Sequence, residues 1–320
     1  MRYGFGIDVG GTTVKLGLFT EFGELLEKWE IPTNTADSGN AILPDIATAI
    51  AGALSRHGIN REFVLGVGLG VPGPVDSRGV VDHCVNLGWP VVDLPEALGK
   101  LTGLPVAAAN DANVAALGEC WKGGGQGHRS MVLATLGTGI GGGIVIDGKM
   151  VYGAHGAGGE IGHIPMEWDD PETCGCGKRG CAEQYGSATG ISRMAKKAME
   201  ESGKPSMLRQ FPQVTARDIF AMGAIGDELA QEILERYYRF LARVLATVCC
   251  VVDPEIVVLG GGVSKAGAPL LAGIQKYFNR YVFHACNTVE FALARLGNDA
   301  GIYGSFKLAL DRFGGTDERM

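Results

Sequence analysis

Two segments half a sequence apart follow the same plan. Residues 3–9 are an apolar run that leads through Asp8-Val9 into Gly10-Gly11-Thr12-Thr13, and 14–19 is apolar again. Residues 131–136 are another such run, broken by Gly137-Thr138-Gly139-Ile140-Gly141 and resumed at 143–146. A brief apolar run bounded by glycine-rich turns reads as a buried strand. A chain that writes strand, glycine turn, strand twice is expected to build two similar halves. Further strands are expected at 25–31, 64–71, 107–110 and 256–259, the last leading into Gly260-Gly261-Gly262. Helical spacing of Ile42, Ile46, Ile50 and Leu54 marks a helix at 41–57, and a second is expected at 112–121. A third, at 227–250, is apolar at Leu229, Ile233, Leu234, Tyr237, Leu241, Val244 and Val248, and Pro254 ends it. Strands and helices mixed along the chain place it in the α/β class.

The length of 320 residues suffices for two domains. The break is expected where Lys122-Gly123-Gly124-Gly125-Gln126-Gly127 interrupts the pattern. That gives a smaller domain at 1–121, completed by a C-terminal helix at 300–313, and a larger one at 122–299. Net charge is −7 and no Lys/Arg-rich stripe occurs, which argues against a nucleic-acid partner. The longest apolar run, 244–252, is too short to span a membrane. Met1-Arg2-Tyr3-Gly4 enters a strand at once, so no secretory leader and a cytoplasmic location are expected. The polar tail at 314–320 is expected to fray.

Cys174, Cys176 and Cys181 lie in Cys-Gly-Cys-Gly-Lys-Arg-Gly-Cys, with His163 a short way upstream in Glu160-Ile161-Gly162-His163. Three thiols and an imidazole make a complete tetrahedral zinc set with no position left for a reactive water, so a structural Zn²⁺ is expected. The other five cysteines, Cys84, Cys120, Cys249, Cys250 and Cys286, sit in apolar settings and read as reduced core residues.

At 8–15, glycines free backbone N–H groups to converge and Thr12 and Thr13 add hydroxyls, which suits phosphate oxygens. Asp8 stands where a hydrated Mg²⁺ needs a carboxylate; the alternative is a plain hairpin with an exposed Asp. Gly137–Gly142 and Gly68–Gly73 formally match the dinucleotide pattern Gly-x-Gly-x-x-Gly. Neither opens a helix, so a second phosphate hairpin at 137–141 is the better reading. No Gly-Lys pair is followed by Ser or Thr, so there is no Walker A loop. Asp111, in Asn110-Asp111-Ala112-Asn113, falls at a strand-to-helix junction where a cap is the commoner role. Asn110, Asn113, Glu160 and Glu183 add the short polar groups that sugar hydroxyls need.

Together these segments resemble the ROK family of bacterial sugar kinases. The matching stretches are 8–15, Gly70-Val71-Pro72-Gly73-Pro74, Asn110-Asp111, 136–143, 160–163, 174–183 and 260–262, in order over nearly the whole chain. Asn86-Leu87-Gly88-Trp89-Pro90 is most like the ATP-dependent glucokinases of that family. The resemblance implies an actin-like ATPase (ribonuclease H-like) fold, with two similar domains around a cleft. It implies ATP and magnesium at Asp8, Gly10, Gly11, Thr12, Thr13, Lys15, Gly137, Thr138, Gly139 and Gly141, with Gly260, Gly261 and Gly262 beside the adenosine. It implies sugar contacts from Gly73, Asn110, Asp111, Glu160, His163 and Glu183, with Asp111 as general base, and zinc on His163, Cys174, Cys176 and Cys181. A homodimer or homotetramer is implied as well. Mannose, fructose and N-acetylmannosamine stand beside glucose as acceptors. The family's repressors carry a helix-turn-helix ahead of this region; here the phosphate loop begins within the first ten residues, so a kinase is expected.

Overall fold

The computed structural model describes residues 1–315; the tail from Thr316 on lies outside the described residues. The described strands are β1 (Tyr3–Val9), β2 (Thr13–Thr20), β3 (Leu25–Pro32), β4 (Val64–Val71), β5 (Val80–Val81), β6 (Val92–Asp93), β7 (Val106–Asn110), β8 (Met131–Leu136), β9 (Ile140–Ile146), β10 (Lys149–Met150), β11 (Ile256–Gly260) and β12 (Glu290–Leu293). The α-helices are α1 (Ile42–His57), α2 (Leu94–Thr102), α3 (Asp111–Lys122), α4 (Glu183–Gly186), α5 (Ala188–Glu201), α6 (Ala216–Ala224), α7 (Glu228–Val252), α8 (Ala268–Phe278) and α9 (Ala300–Phe313).

Two five-stranded sheets run in the orders β3-β2-β1-β4-β7 and β10-β9-β8-β11-β12. Numbered within each half, both orders are 3-2-1-4-5. In the first sheet β1–β2–β3 is an antiparallel meander, and β4 and β7 join it in parallel. In the second, β10 pairs antiparallel with β9, and β11 and β12 run parallel to β8. The repeated strand, turn and strand is therefore a repeated topology. One boundary moves: β9 begins at Ile140, not Gly143, because Gly137 N–H donates to Gly139 O at 3.0 Å and completes the turn by itself.

The chain divides into two compact units. The first holds Met1–Arg129, Gly143–Gly159 and the segment from Arg295 on; the second holds Ser130–Gly142 and Glu160–Ala294. The first break falls after Arg129, where the sequence placed it at 121/122. The cause is local: the buried Glu119 carboxylate accepts the Gly124 N–H at 2.7 Å, so the glycine run stays attached to α3. Glu119 also accepts the N–H groups of Arg295 and Leu296 at 3.0 and 2.9 Å, fixing the approach to α9.

The first unit's core gathers Phe5, Ile7, Leu16, Ile46, Leu69 and Leu98 between the sheet and the helices α1 and α2. On the other side Phe19 stacks on Phe306 of α9 at 4.6 Å between ring centroids. In the second unit α7 buries every apolar position noted in its sequence. Asp227 caps it by accepting the Ala230 N–H at 3.0 Å, and it stops at Asp253, in a left-handed conformation (φ 50°) before Pro254. The residue before a proline is disfavoured in the helical region, so the helix ends there. Four of the five cysteines outside the cluster are buried; Cys250 is exposed, because its position on α7 faces away from the apolar stripe.

Candidate active site

In the first unit, β1, β4 and β7 lie side by side and parallel, with Asp8 level with Gly70 and Val71 level with Asn110. The carboxyl ends of three adjacent strands thus present Asp8, the turn at 70–74 and Asn110 along one edge. Open α/β sheets hold their ligands at this edge. Gly10 N–H donates to Thr13 O at 3.0 Å and closes the first hairpin, leaving Gly11 and Thr12 exposed. Lys15 stands across from Asp8 on β2, and its Nζ donates to Asn298 O at 3.2 Å. Burial pushes the Asp8 carboxyl up to about 6, with Lys15 opposing the shift and Asp111 adding to it.

The turn at 110–113 corrects one expectation. Asn110, at φ −62° and ψ 143°, is the N-cap of α3, its side chain accepting the N–H groups of Ala112 and Asn113 at 3.0 and 3.2 Å. Asp111 is the first helical residue instead, half-buried, with Oδ1 accepting the Ala112 N–H at 2.8 Å. An extended residue must precede the helix, and the strand's last residue supplies it. Asn110 Nδ2 also donates to Gly73 O at 3.1 Å; Gly73 sits at φ +94°, a conformation open to glycine and costly for a side chain. Asn113 is buried and donates to Gly158 O at 3.1 Å.

The second unit gathers the remaining residues. A side chain on Gly139 would collide with Glu183 Oε2, and one on Gly162 with Ile140 O, so the β8–β9 hairpin lies against both the 160–163 turn and the start of α4. Ala188 N–H donates to Gly137 O at 2.8 Å from the other side. Gly261, at φ +80°, leaves only 2.6 Å between a Cβ built there and Leu136 O, which brings 260–262 against the same hairpin. Gly262 lines a cavity of about 690 Å³ walled by α6, α7 and the turn into α8, with Phe220, Tyr238, Arg217, Lys265 and Pro269 around it. No residue pattern marks these five, because they lie on α6, α7, the 263–266 turn and α8 and carry no motif.

His163, Cys174, Cys176 and Cys181 come together, with one ligand atom from each lying within 4.8 Å of all the others. Cys176 and Cys181 sulfurs are 3.6 Å apart, and Cys174 Sγ is 3.8 Å from His163 Nδ1. Tetrahedral zinc, with bonds of about 2.3 Å to sulfur and about 2.0 Å to nitrogen, requires sulfurs about 3.8 Å apart and sulfur about 3.5 Å from nitrogen. The four side chains therefore fit such an ion in donor type and spacing. Burial pushes the Cys174 thiol up, while the Lys178 N–H draws the exposed Cys176 down. His163 points Nδ1 into the cluster and its other nitrogen, Nε2, toward Glu160 Oε2 at 3.8 Å. Cys174 donates to Glu183 Oε1 at 2.9 Å, so one carboxylate touches both the cysteine cluster and the glycine hairpin.

Behind the loop, Arg193 holds buried Asp170 at 2.9 Å and Glu172 at 2.9 Å and lies over the Tyr185 ring. Burial would raise the Asp170 carboxyl, but hydrogen bonds from Arg193 and Tyr185 outweigh it and hold the group below the usual range. Gln184 closes the loop, accepting the Cys181 N–H and donating to Glu172 O, both at 3.0 Å. No described helix is long and apolar enough to cross a membrane.

The profile of the ROK family matches residues 4–312. A glucokinase of Halalkalibacterium halodurans is 42% identical over 308 residues, which is 95% of this chain and 93% of the relative. The structure of a ROK hexokinase from Thermus thermophilus is 33% identical and superposes with a TM-score of 0.81, covering 98% of this chain and 100% of that one. A ROK family glucokinase from Streptomyces griseus, solved in complex with glucose and AMPPNP, is 34% identical with a TM-score of 0.74, over 97% of this chain and 99% of that one.

Proposed function

The chain belongs to the ROK family, and on that premise we propose that it transfers the γ-phosphoryl group of ATP to the 6-hydroxyl of glucose. It has the actin-like ATPase fold of its structural neighbours. The observation that carries the reading is the junction at 110–111: Asn110 is the N-cap of α3, and the half-buried Asp111 carboxylate opens the helix beside it at the carboxyl end of β7. A carboxylate at the end of a strand, beside a glycine–threonine hairpin, suits a hydroxyl that must lose its proton next to a phosphate.

In this reading the glucose O6 attacks the γ-phosphorus and its proton passes to an Asp111 carboxylate oxygen. The bond from γ-phosphorus to the β–γ bridging oxygen breaks, and ADP departs with that electron pair. Main-chain N–H groups at Gly11 and Gly139, with the hydroxyls of Thr12, Thr13 and Thr138, would receive phosphate oxygens, while the Gly10 and Gly137 N–H groups keep the two hairpins closed. Asp8 would hold the hydrated magnesium ion that accompanies ATP, which would supply charge neutralisation at the phosphates, and Lys15 would offset the charge of Asp8. The cavity beside Gly262 accepts the adenosine between Phe220, Tyr238 and Pro269. Gly73, Asn110, Glu160, His163 and Glu183 bind the sugar hydroxyls. Zinc on His163, Cys174, Cys176 and Cys181 is structural, with all four positions filled by protein. A homodimer or homotetramer in the cytoplasm completes the proposal.

A coupled ADP-release assay over a panel of hexoses tests this. The expected outcome is glucose-dependent ADP formation with glucose 6-phosphate as product. Higher kcat/KM for mannose, fructose or N-acetylmannosamine would reassign the acceptor, and ATP turnover with no sugar dependence would remove the kinase reading.

A further inference from the structure

Asp8 is hemmed in from a direction its own strand does not reveal. The first turn of α9 passes it at Gly301, which is buried. A Cβ built on Gly301 would lie 2.5 Å from Asp8 Cγ, 2.6 Å from Oδ2 and 2.9 Å from Cβ. Real Cβ atoms do not approach a carboxyl group so closely, so one of the two must move when Gly301 gains a side chain.

α9 is not free to be the one that moves. A Cβ on Gly304, one turn on, would overlap Val114 O of α3, and a Cβ on Gly118 of α3 would overlap Ala300 O. The two helices therefore touch main chain to main chain through reciprocal glycines. The segment entering α9 is also pinned, since the Glu119 carboxylate, from the far end of α3, accepts the N–H groups of Arg295 and Leu296. A rigid path thus runs from α3, whose first residue is Asp111, through α9 to the flank of Asp8.

We propose that Gly301 is a positioning residue for phosphoryl transfer: its missing side chain gives the Asp8 carboxylate its place, while α3 holds α9 against it. The proposal rests on the kinase reading for the task of Asp8, and on geometry alone for the contact. It makes Gly301 and Asp8 one unit, and Gly301 and the sugar side of the site separate ones.

A double-mutant cycle tests it, read by Mn²⁺·ADP binding, by KM for MgATP and for glucose, and by melting temperature. Gly301→Ala is expected to weaken Mn²⁺·ADP binding and raise KM for MgATP by about tenfold, in the range of coupling between contacting residues. Glucose KM should stay near wild type. In an Asp8→Ala background, where the space beside Gly301 is empty, adding Gly301→Ala should change Mn²⁺·ADP binding no further. Gly304→Ala serves as the structural comparison: it meets backbone, not Asp8, and is expected to lower the melting temperature with the two KM values moving together or not at all. Additive losses from Gly301→Ala in both backgrounds, or a Gly301→Ala protein that binds Mn²⁺·ADP normally, would overturn the proposal. A wild-type protein that binds Mn²⁺·ADP but phosphorylates no sugar would instead overturn the kinase reading, with the binding cycle still deciding the role of Gly301.

Discussion

The two glycine hairpins occupy the same place in sheets of the same strand order, yet different things face them. Asp8, at the end of the first hairpin's leading strand, is flanked by the main chain of α9. The second hairpin is faced at Gly139 by the Glu183 carboxylate, which also accepts a hydrogen bond from the Cys174 thiol. One partner belongs to a helix locked by backbone contact; the other opens the four-residue α4, next to a cluster whose Cys176 and His163 are exposed. The sheet brings a loop to a fixed edge in both units, and what packs on that loop is a helix in one and the neighbour of a cysteine–histidine cluster in the other.

The largest way to separate the two is to remove the metal. Purified protein is expected to carry one zinc per chain by elemental analysis. Cys176→Ser should lose it and free Glu183 from its fixed position, since structural zinc contributes folding energy directly. A loss of a few kcal/mol lowers the melting temperature by about 5 °C or more in a chain of this size. Glucose turnover should fall with it, whereas the first unit's tie between Asn110 and Gly73 is untouched. Full activity and an unchanged melting temperature in zinc-free protein would erase the contrast.

Next in size is Asp111→Asn. Asn cannot take a proton, and loss of a general base costs about 10²–10⁴ in rate. Because Asn110 is the cap, this substitution leaves the helix start intact. We expect kcat for glucose to drop at least about a hundredfold, with melting temperature and ATP binding near wild type. Near-normal turnover would move the base to Glu160 or Glu183, and so from the first unit to the second.

What the sequence told in advance follows the same divide. Strands Tyr3–Val9, Val64–Val71 and Met131–Leu136 were legible to the residue, because short apolar runs between glycines have few other ways to fold. The meeting of His163, Cys174, Cys176 and Cys181 was legible because their spacing carries the chemistry. The cap was misplaced by one residue: Asn and Asp cap equally well, and only the backbone angles at Asn110 distinguish them. The cavity beside Gly262 and the contact of Gly301 with Asp8 were not legible at all. Each is made by elements far apart in sequence, and the residue that matters at 301 is defined by a side chain it lacks.

A smaller effect concerns Asp8 in protein free of magnesium. Its folded-state value of about 6 lies above the ordinary 3.8, so the folded protein binds the extra proton between those values. Stability contributed by this group is therefore highest at low pH and falls as pH rises from about 4 to 6, by roughly 2–3 kcal/mol at 1.36 kcal/mol per unit. Asp8→Asn has no such proton to lose. The variant should be more stable than wild type at pH 7 and level with it near pH 4, measured by denaturant melts. A difference that does not change with pH would mean that Asp8 is better solvated than its surroundings suggest, and the first unit's reliance on close packing would weaken accordingly.

The smallest expected effect is the sharpest test of how the second unit divides its labour. His163 turns Nδ1 to the cysteines and Nε2 to Glu160. Replacing it with alanine would lose the metal and the second contact together, so that change cannot tell them apart. His163→Cys can. A set of four cysteines is an ordinary structural zinc site, so the ion and the loop are expected to stay and the melting temperature to remain near wild type. What disappears is the nitrogen facing Glu160. A neutral hydrogen bond is worth about 0.5–1.5 kcal/mol, or roughly a twofold to tenfold change. Glucose KM should rise by that factor, while kcat and the KM for MgATP hold. If zinc stays and glucose KM does not move, His163 serves the metal alone, and the zinc loop reaches the sugar only through Glu160 and Glu183. If KM rises with zinc retained, one imidazole links the metal to the substrate, and the second hairpin's partner shapes the site as well as supporting it.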